Sequence, residues 1–220
     1  MDTDNTALTE RTATAWQQLT AWLREHAPTS YASILPPAPV AEVEEAEGRL
    51  RQNCGFGLPP ELVALWGLAG GVRQLDIEEC DEEGEVATGA FLPHGVLLTP
   101  EQSIRPRLYG LDAHGKDYWD GAEWAAPFGN YIEATDVGLY LSADGLGKWR
   151  SYEGLFMEAP LFPSIAAYLE SVVRTLREGP ADLMGPEVPG IVYGCLVWED
   201  PRYPTLDETL PDWRPVHPVH

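Results

Sequence analysis

The stretch from Phe56 to Gly71, FGLPPELVALWGLAGG, holds a helix whose two ends are both set by its own residues. Pro59 and Pro60 suit the first helical positions, where a missing N–H costs nothing. Leu62, Leu65 and Trp66 share one face. Gly70 and Gly71 can take the left-handed conformation that closes a helix. The segment is therefore a sharply bounded helix of about ten residues, mostly buried. It is expected to act as scaffold, packing the helical layer onto a sheet and fixing where the strands begin.

The N-terminal side reads as helix. Over residues 6–26, Trp16, Leu19 and Leu23 fall on one face. Pro28 and the Pro36-Pro37 pair mark the next connection. A second helix is expected from about Pro39 to Gln52, with Val40, Val43, Ala46 and Leu50 as its apolar stripe. Glu42, Glu44, Glu45 and Glu47 crowd its first turns, where the helix dipole favours acids.

The C-terminal side begins as strand. Between residues 72 and 152, short apolar runs alternate with Gly, Asp and Pro. The expected strands are Gly89–Phe91, Val96–Thr99, Asn130–Ala134, Val137–Ser142 and Lys148–Tyr152. The last two flank Ala143 to Gly147, a hairpin turn with Asp-Gly at its centre. Thr99 and Gln102 are spaced as a capping box at the start of a helix. A long helix then runs through Phe162, Ile165, Ala166, Leu169, Val172, Val173 and Leu176, ending at Gly179-Pro180. Residues 180–220 hold eight prolines and one strand-like run, Gly190 to Trp198. Helices, then strands, then a helix is α+β ordering. The chain divides into residues 1–36 as a helix and linker, 37–179 as the main domain, and 180–220 as a Pro-rich extension.

Charge narrows the partners. The chain carries 35 acids against 14 bases, a net charge of −21. That sign opposes a groove for a phosphate backbone and adhesion to an anionic membrane. It suits solubility, or attraction of a basic partner. Hydrophobic residues make up 44%, with 8 Trp, enough to build a packed interior. No run is apolar for the length of a membrane helix, and the N-terminus does not resemble a signal peptide. Three widely spaced cysteines, Cys54, Cys80 and Cys195, favour free thiols and a cytoplasmic setting.

Motifs for catalysis are missing. Gly115-Lys116 and Gly147-Lys148 lack the Ser or Thr of a phosphate loop. Gly145 and Gly147 have Arg150 where a dinucleotide fingerprint needs a third glycine. There is no nucleophile elbow. The five histidines and three cysteines show no metal-ligand spacing. No enzyme activity, cofactor or metal is expected. Paired carboxylates in a cleft would revive an enzyme reading.

Two stretches stand out as candidate partner-binding surfaces. The first is Asp76 to Glu85, with seven acids in ten residues, including Asp76, Glu78, Glu79, Asp81, Glu82 and Glu83. Its spacing is not that of a calcium loop. It is either a solvated loop or an electrostatic landing site. The second runs from Tyr109 to Trp124 and mixes Tyr118, Trp119, Asp120 and Trp124. Aromatics beside charge serve interface hot spots, and they equally anchor a loop to a core.

The ordered series Ala46-Glu47-Gly48-Arg49-Leu50, Gly57-Leu58-Pro59-Pro60-Glu61-Leu62, Leu65-Trp66 and Gly70-Gly71 resembles the SUKH superfamily of Smi/Knr-type domains. The helix entry Phe162-Pro163-Ser164, with Tyr168-Leu169 beyond it, is similar to the family's later helix. The resemblance covers roughly residues 37 to 179, and Asn53-Cys54-Gly55 departs from it. It implies a central, largely antiparallel or mixed sheet with helices packed on one side. It also implies a binding module rather than a catalyst, of the kind used as bacterial immunity proteins against polymorphic toxins, often basic nucleases. The expected partner is thus a basic protein toxin, with neither nucleic acid nor membrane as partner. An intracellular regulatory scaffold of the same fold is the alternative.

Overall fold

The computed structural model describes residues 2–80, 86–93, 95–109, 119, 121–130, 137–150, 156–179, 183, 185–200, 202 and 212–218. Its elements run in the order α1 (Asp2–His26), α2 (Pro28–Ser33), α3 (Val40–Cys54), α4 (Pro60–Trp66), β1 (Val96–Leu97), α5 (Pro100–Tyr109), β2 (Trp124–Gly129), β3 (Val137–Ser142), β4 (Gly145–Arg150), β5 (Phe156–Met157), α6 (Ile165–Glu178), β6 (Val188–Val192), β7 (Cys195–Glu199) and β8 (Arg214–Pro215). The architecture is α+β. Strands β1 to β5 form one antiparallel sheet in sequence order, and β7-β6-β8 form a second.

The helical layer is built on α1. It packs against α4 and α6, while α6 reaches β4, and α5 lies on β2 and against α3. Trp16, Leu19 and Leu23 of α1 share one buried cluster with Leu62 of α4, Phe128 of β2, Leu169 of α6 and Leu196 of β7. All three segments marked out in the sequence therefore contribute to one core. Such burial is the main force holding the layers together.

Several local expectations are met. The α5 capping box forms in both directions: the Thr99 N–H donates to Gln102 Oε1 at 2.9 Å, and the Gln102 N–H donates to Thr99 Oγ1 at 3.4 Å. Ser164 caps α6 by accepting from the Ala167 N–H at 3.0 Å. The expected hairpin forms, with β3 and β4 pairing from Val137↔Arg150 to Ser142↔Gly145, but its turn is only Ala143-Asp144, and Gly145 to Gly147 belong to β4 rather than to the turn.

Others are corrected. Gly70-Gly71 does not cap α4, which ends at Trp66. Gly70 instead passes against the Pro36–Ala38 connection, where a Cβ would lie 2.8 Å from the Pro36 carbonyl oxygen. A turn held by the Ala90 N–H on the Ala87 carbonyl replaces the expected strand at Gly89–Phe91. Strand β2 occupies a stretch that was not among the expected strands. It is buried along its whole length and so lacks alternation. Pro127 sits at its register shift between Ala125 and Phe128. The expected strand Asn130–Ala134 lies outside the described residues from 131 onward. The run Gly190 to Trp198 is a hairpin, not one strand. Tyr193 and Gly194 both take positive φ, 49° and 73°, as a tight two-residue turn requires.

Candidate interaction surface

Two carboxylates of the motif series prove to be joints. Glu61, at the start of α4, is only 5% exposed. Its Oε1 accepts from the Ala166 N–H at 2.7 Å and from Thr12 Oγ1 at 2.8 Å, and its Oε2 from the Ile165 N–H at 3.2 Å. With Ser164, it satisfies the first three N–H groups of α6 and sets a negative charge at the positive end of that helix. One side chain thus ties α1, α4 and α6. Glu47 does the same at the other end of the Leu-Pro-Pro step. Its Oε2 accepts from the Leu58 N–H at 2.5 Å, and its Oε1 from Arg51 Nε at 2.7 Å. The partners of Glu61 lie far off in sequence, whereas those of Glu47 lie within eleven residues. For Glu61 the only local signal was an acid placed in an otherwise apolar helix.

The two tryptophans proposed as contact residues are core. Trp124 is fully buried and Trp119 is 7% exposed. Their rings lie 4.7 Å apart, edge to face, and both pack against Trp149. Neither presents an exposed aromatic face to a partner, so the anchoring alternative holds for both. Buried Arg107 works nearby, donating from Nε to the Ala122 carbonyl at 2.9 Å beside the Phe56 ring. Tyr118 and Asp120 lie outside the described residues.

The acidic candidates divide in the same way. Asp76, Glu78 and Glu79 are exposed, while Ile77 between them packs inward on the small cluster of Val86, Val192 and Cys195. Asp81, Glu82 and Glu83 lie outside the described residues. Glu42, Glu44 and Glu45 on α3 are likewise exposed. None of these six carboxylates is in an ion pair among the described residues, whereas Glu47, Glu101 and Glu170 each have an arginine.

The described thiols and imidazoles are occupied structurally. Burial pushes the Cys195 thiol up to about 12, which keeps it protonated. Cys54 and Cys80 are half-buried thiols. His26 packs against Trp22 with the rings tilted by 48°, and His217 Nε2 donates to the Leu176 carbonyl at 3.1 Å. Among the described residues, no three His, Cys, Asp or Glu side chains form a metal-sized group, and no helix is long and apolar enough to cross a membrane. No protein-family model and no curated protein matches the chain.

Proposed function

We propose that the chain is a non-catalytic protein-binding module that covers a basic protein, and that it acts as an immunity protein neutralising a polymorphic toxin. The observation that carries this reading is the set of exposed carboxylates at Glu42, Glu44, Glu45, Asp76, Glu78 and Glu79, in no ion pair among the described residues, in a chain of net charge −21. Carboxylates without internal cations keep their field for an approaching partner, which raises association rate and salt dependence. The likeness of the Leu-Pro-Pro series to SUKH domains supports the same reading. Toxins that act on nucleic acid bear basic surfaces, and an acidic inhibitor complements them.

The test is affinity capture from lysate of the source organism, with washes at rising salt. The expected result is one basic protein that leaves as salt rises and whose toxicity the chain suppresses. Neutralising the six named acids should slow its association by about tenfold or more at low salt. Several partners held without salt dependence, and no suppression of toxicity, would favour the scaffold reading instead.

A further inference from the structure

The Leu-Pro-Pro step does more than turn the chain. It forms one wall of a groove of about 390 Å³, whose other walls come from α1, the start of β2, the β3–β4 hairpin tip and the entry to α6. Pro59, Pro60 and Pro163 make rigid walls, Leu8 supplies apolar surface, and the buried Trp124 and Leu141 lie behind it as the floor. A volume of this size suits one large apolar side chain with part of its neighbour. The walls are fixed in advance: Glu47 holds the Leu58 backbone, and Glu61 holds α4 to α6. A preorganised slot loses little order on binding.

Charge decides the occupant. Glu61 lines the groove, but its oxygens already accept three hydrogen bonds. Glu123 lines it too, is exposed, and has no ion pair among the described residues. Asp144 stands exposed at the hairpin tip, next to the lining residue Ala143. No arginine or lysine lines the groove among the described residues. The result is an apolar slot with a carboxylate at its mouth, on a strongly acidic protein. We infer that this groove receives an apolar side chain with an arginine or lysine next to it, presented by an exposed segment of a basic protein partner. The inference rests on the protein-binding reading, and it adds where the partner's anchor goes.

The groove is tested without the partner, by two-dimensional NMR of the whole chain. Three short probes are titrated: acetyl-phenylalanyl-arginine amide, its phenylalanyl-glutamate analogue and its glycyl-arginine analogue. The expected result is saturable movement of the Ser142 and Ala143 amide signals and of the Trp124 indole signal with the first probe alone. The other two should bind at least about tenfold more weakly, one losing the charge match and the other the anchor. Ala143→Trp, at the exposed mouth, should abolish the shifts, and Glu123→Gln should erase the preference for arginine over glutamate. If Ala143→Trp disturbs the fold, Glu123→Gln alone decides the charge claim. The inference is overturned if no probe moves these signals, if the glutamate probe binds as well as the arginine probe, or if a folded Ala143→Trp variant responds like the parent. Capture of a basic partner together with a silent groove would leave the binding reading standing and remove the groove from it. A responsive groove with no captured partner would do the reverse.

Discussion

Glu61 and Glu45 are the same residue type on neighbouring helices, and they do opposite things. Glu61 is buried under three donors and joins three helices. Glu45, like Glu42, Glu44, Asp76, Glu78 and Glu79, faces water without an ion pair among the described residues. An acid count treats them alike. The difference lies in how many backbone N–H groups point at each carboxylate, because a buried charge persists only where donors replace its lost water. Among the described residues most acids therefore lie at the surface, with Glu61 withdrawn to hold the fold.

Removing Glu61 tests this most severely. Glu61→Ala leaves two N–H groups of α6 without their acceptor and cuts the tie to Thr12, whose hydroxyl keeps only the Leu8 carbonyl. The expected loss of stability is roughly 3–5 kcal/mol, the scale for breaking a buried charged network. Glu61→Gln keeps the length and one acceptor and should lose about half as much. Urea unfolding of both variants reads the difference. A loss below about 1 kcal/mol for the alanine variant would put Glu61 with the surface acids and break the comparison.

Buried groups that stay neutral sharpen it from the other side. Burial raises the Tyr168 phenol well above its ordinary value, where its hydroxyl donates to the Pro93 carbonyl at 2.7 Å, and pushes the Cys195 thiol up to about 12. Both hold their protons longer folded than unfolded. The stability they give is complete below their unfolded values and falls as pH rises from about 9 towards 12. Each should add a slope of up to about 1.4 kcal/mol per pH unit over that range. Denaturant melts at stepped alkaline pH should show it, and Cys195→Ser with Tyr168→Phe should flatten it. An unchanged slope in the double variant would mean that surface repulsion, not burial, governs alkaline unfolding.

Glu47 lies between the two extremes, since its side chain is 29% exposed. Glu47→Ala frees the Leu58 N–H and Arg51, and should cost about 1–2 kcal/mol by urea unfolding. A loss as large as that for Glu61→Ala would mean that the Leu-Pro-Pro step depends on α3 as heavily as α6 depends on α4.

How far these roles could be read from the sequence depends on the range of the interaction. The α6 stripe, its Ser164 cap and the Thr99–Gln102 box are settled within a few residues, and they were legible. Strand β2 was not, because burial on both faces removes alternation and Pro127 argues locally against a strand. The β6–β7 turn was missed because Tyr193 is an unusual residue at positive φ. At the candidate surface, the exposure of Asp76, Glu78 and Glu79 agreed with composition, while Trp119 and Trp124 turned inward. An aromatic beside acids looks the same in sequence whether its ring meets a partner or Trp149. The partners of Glu61 lie 49 and 104 or more residues away, so no local pattern could name them.

The smallest expected effect is the most telling about function. Replacing Glu42, Glu44, Glu45, Asp76, Glu78 and Glu79 by their amides removes six charges from a chain of −21. Because these carboxylates are exposed and without ion pairs among the described residues, stability should move by no more than about 0.5 kcal/mol, as the fall in self-repulsion offsets the loss of Glu42 from the first turn of α3. Urea unfolding at low and high salt checks it, and added salt should shrink even that small change. A loss of about 2 kcal/mol or more, the scale of Glu47→Ala, would show that these acids hold structure. A neutral outcome leaves them as charge the fold does not need, held on a surface where only solubility or a partner can use it. Slower partner association in the same variant then separates those two uses.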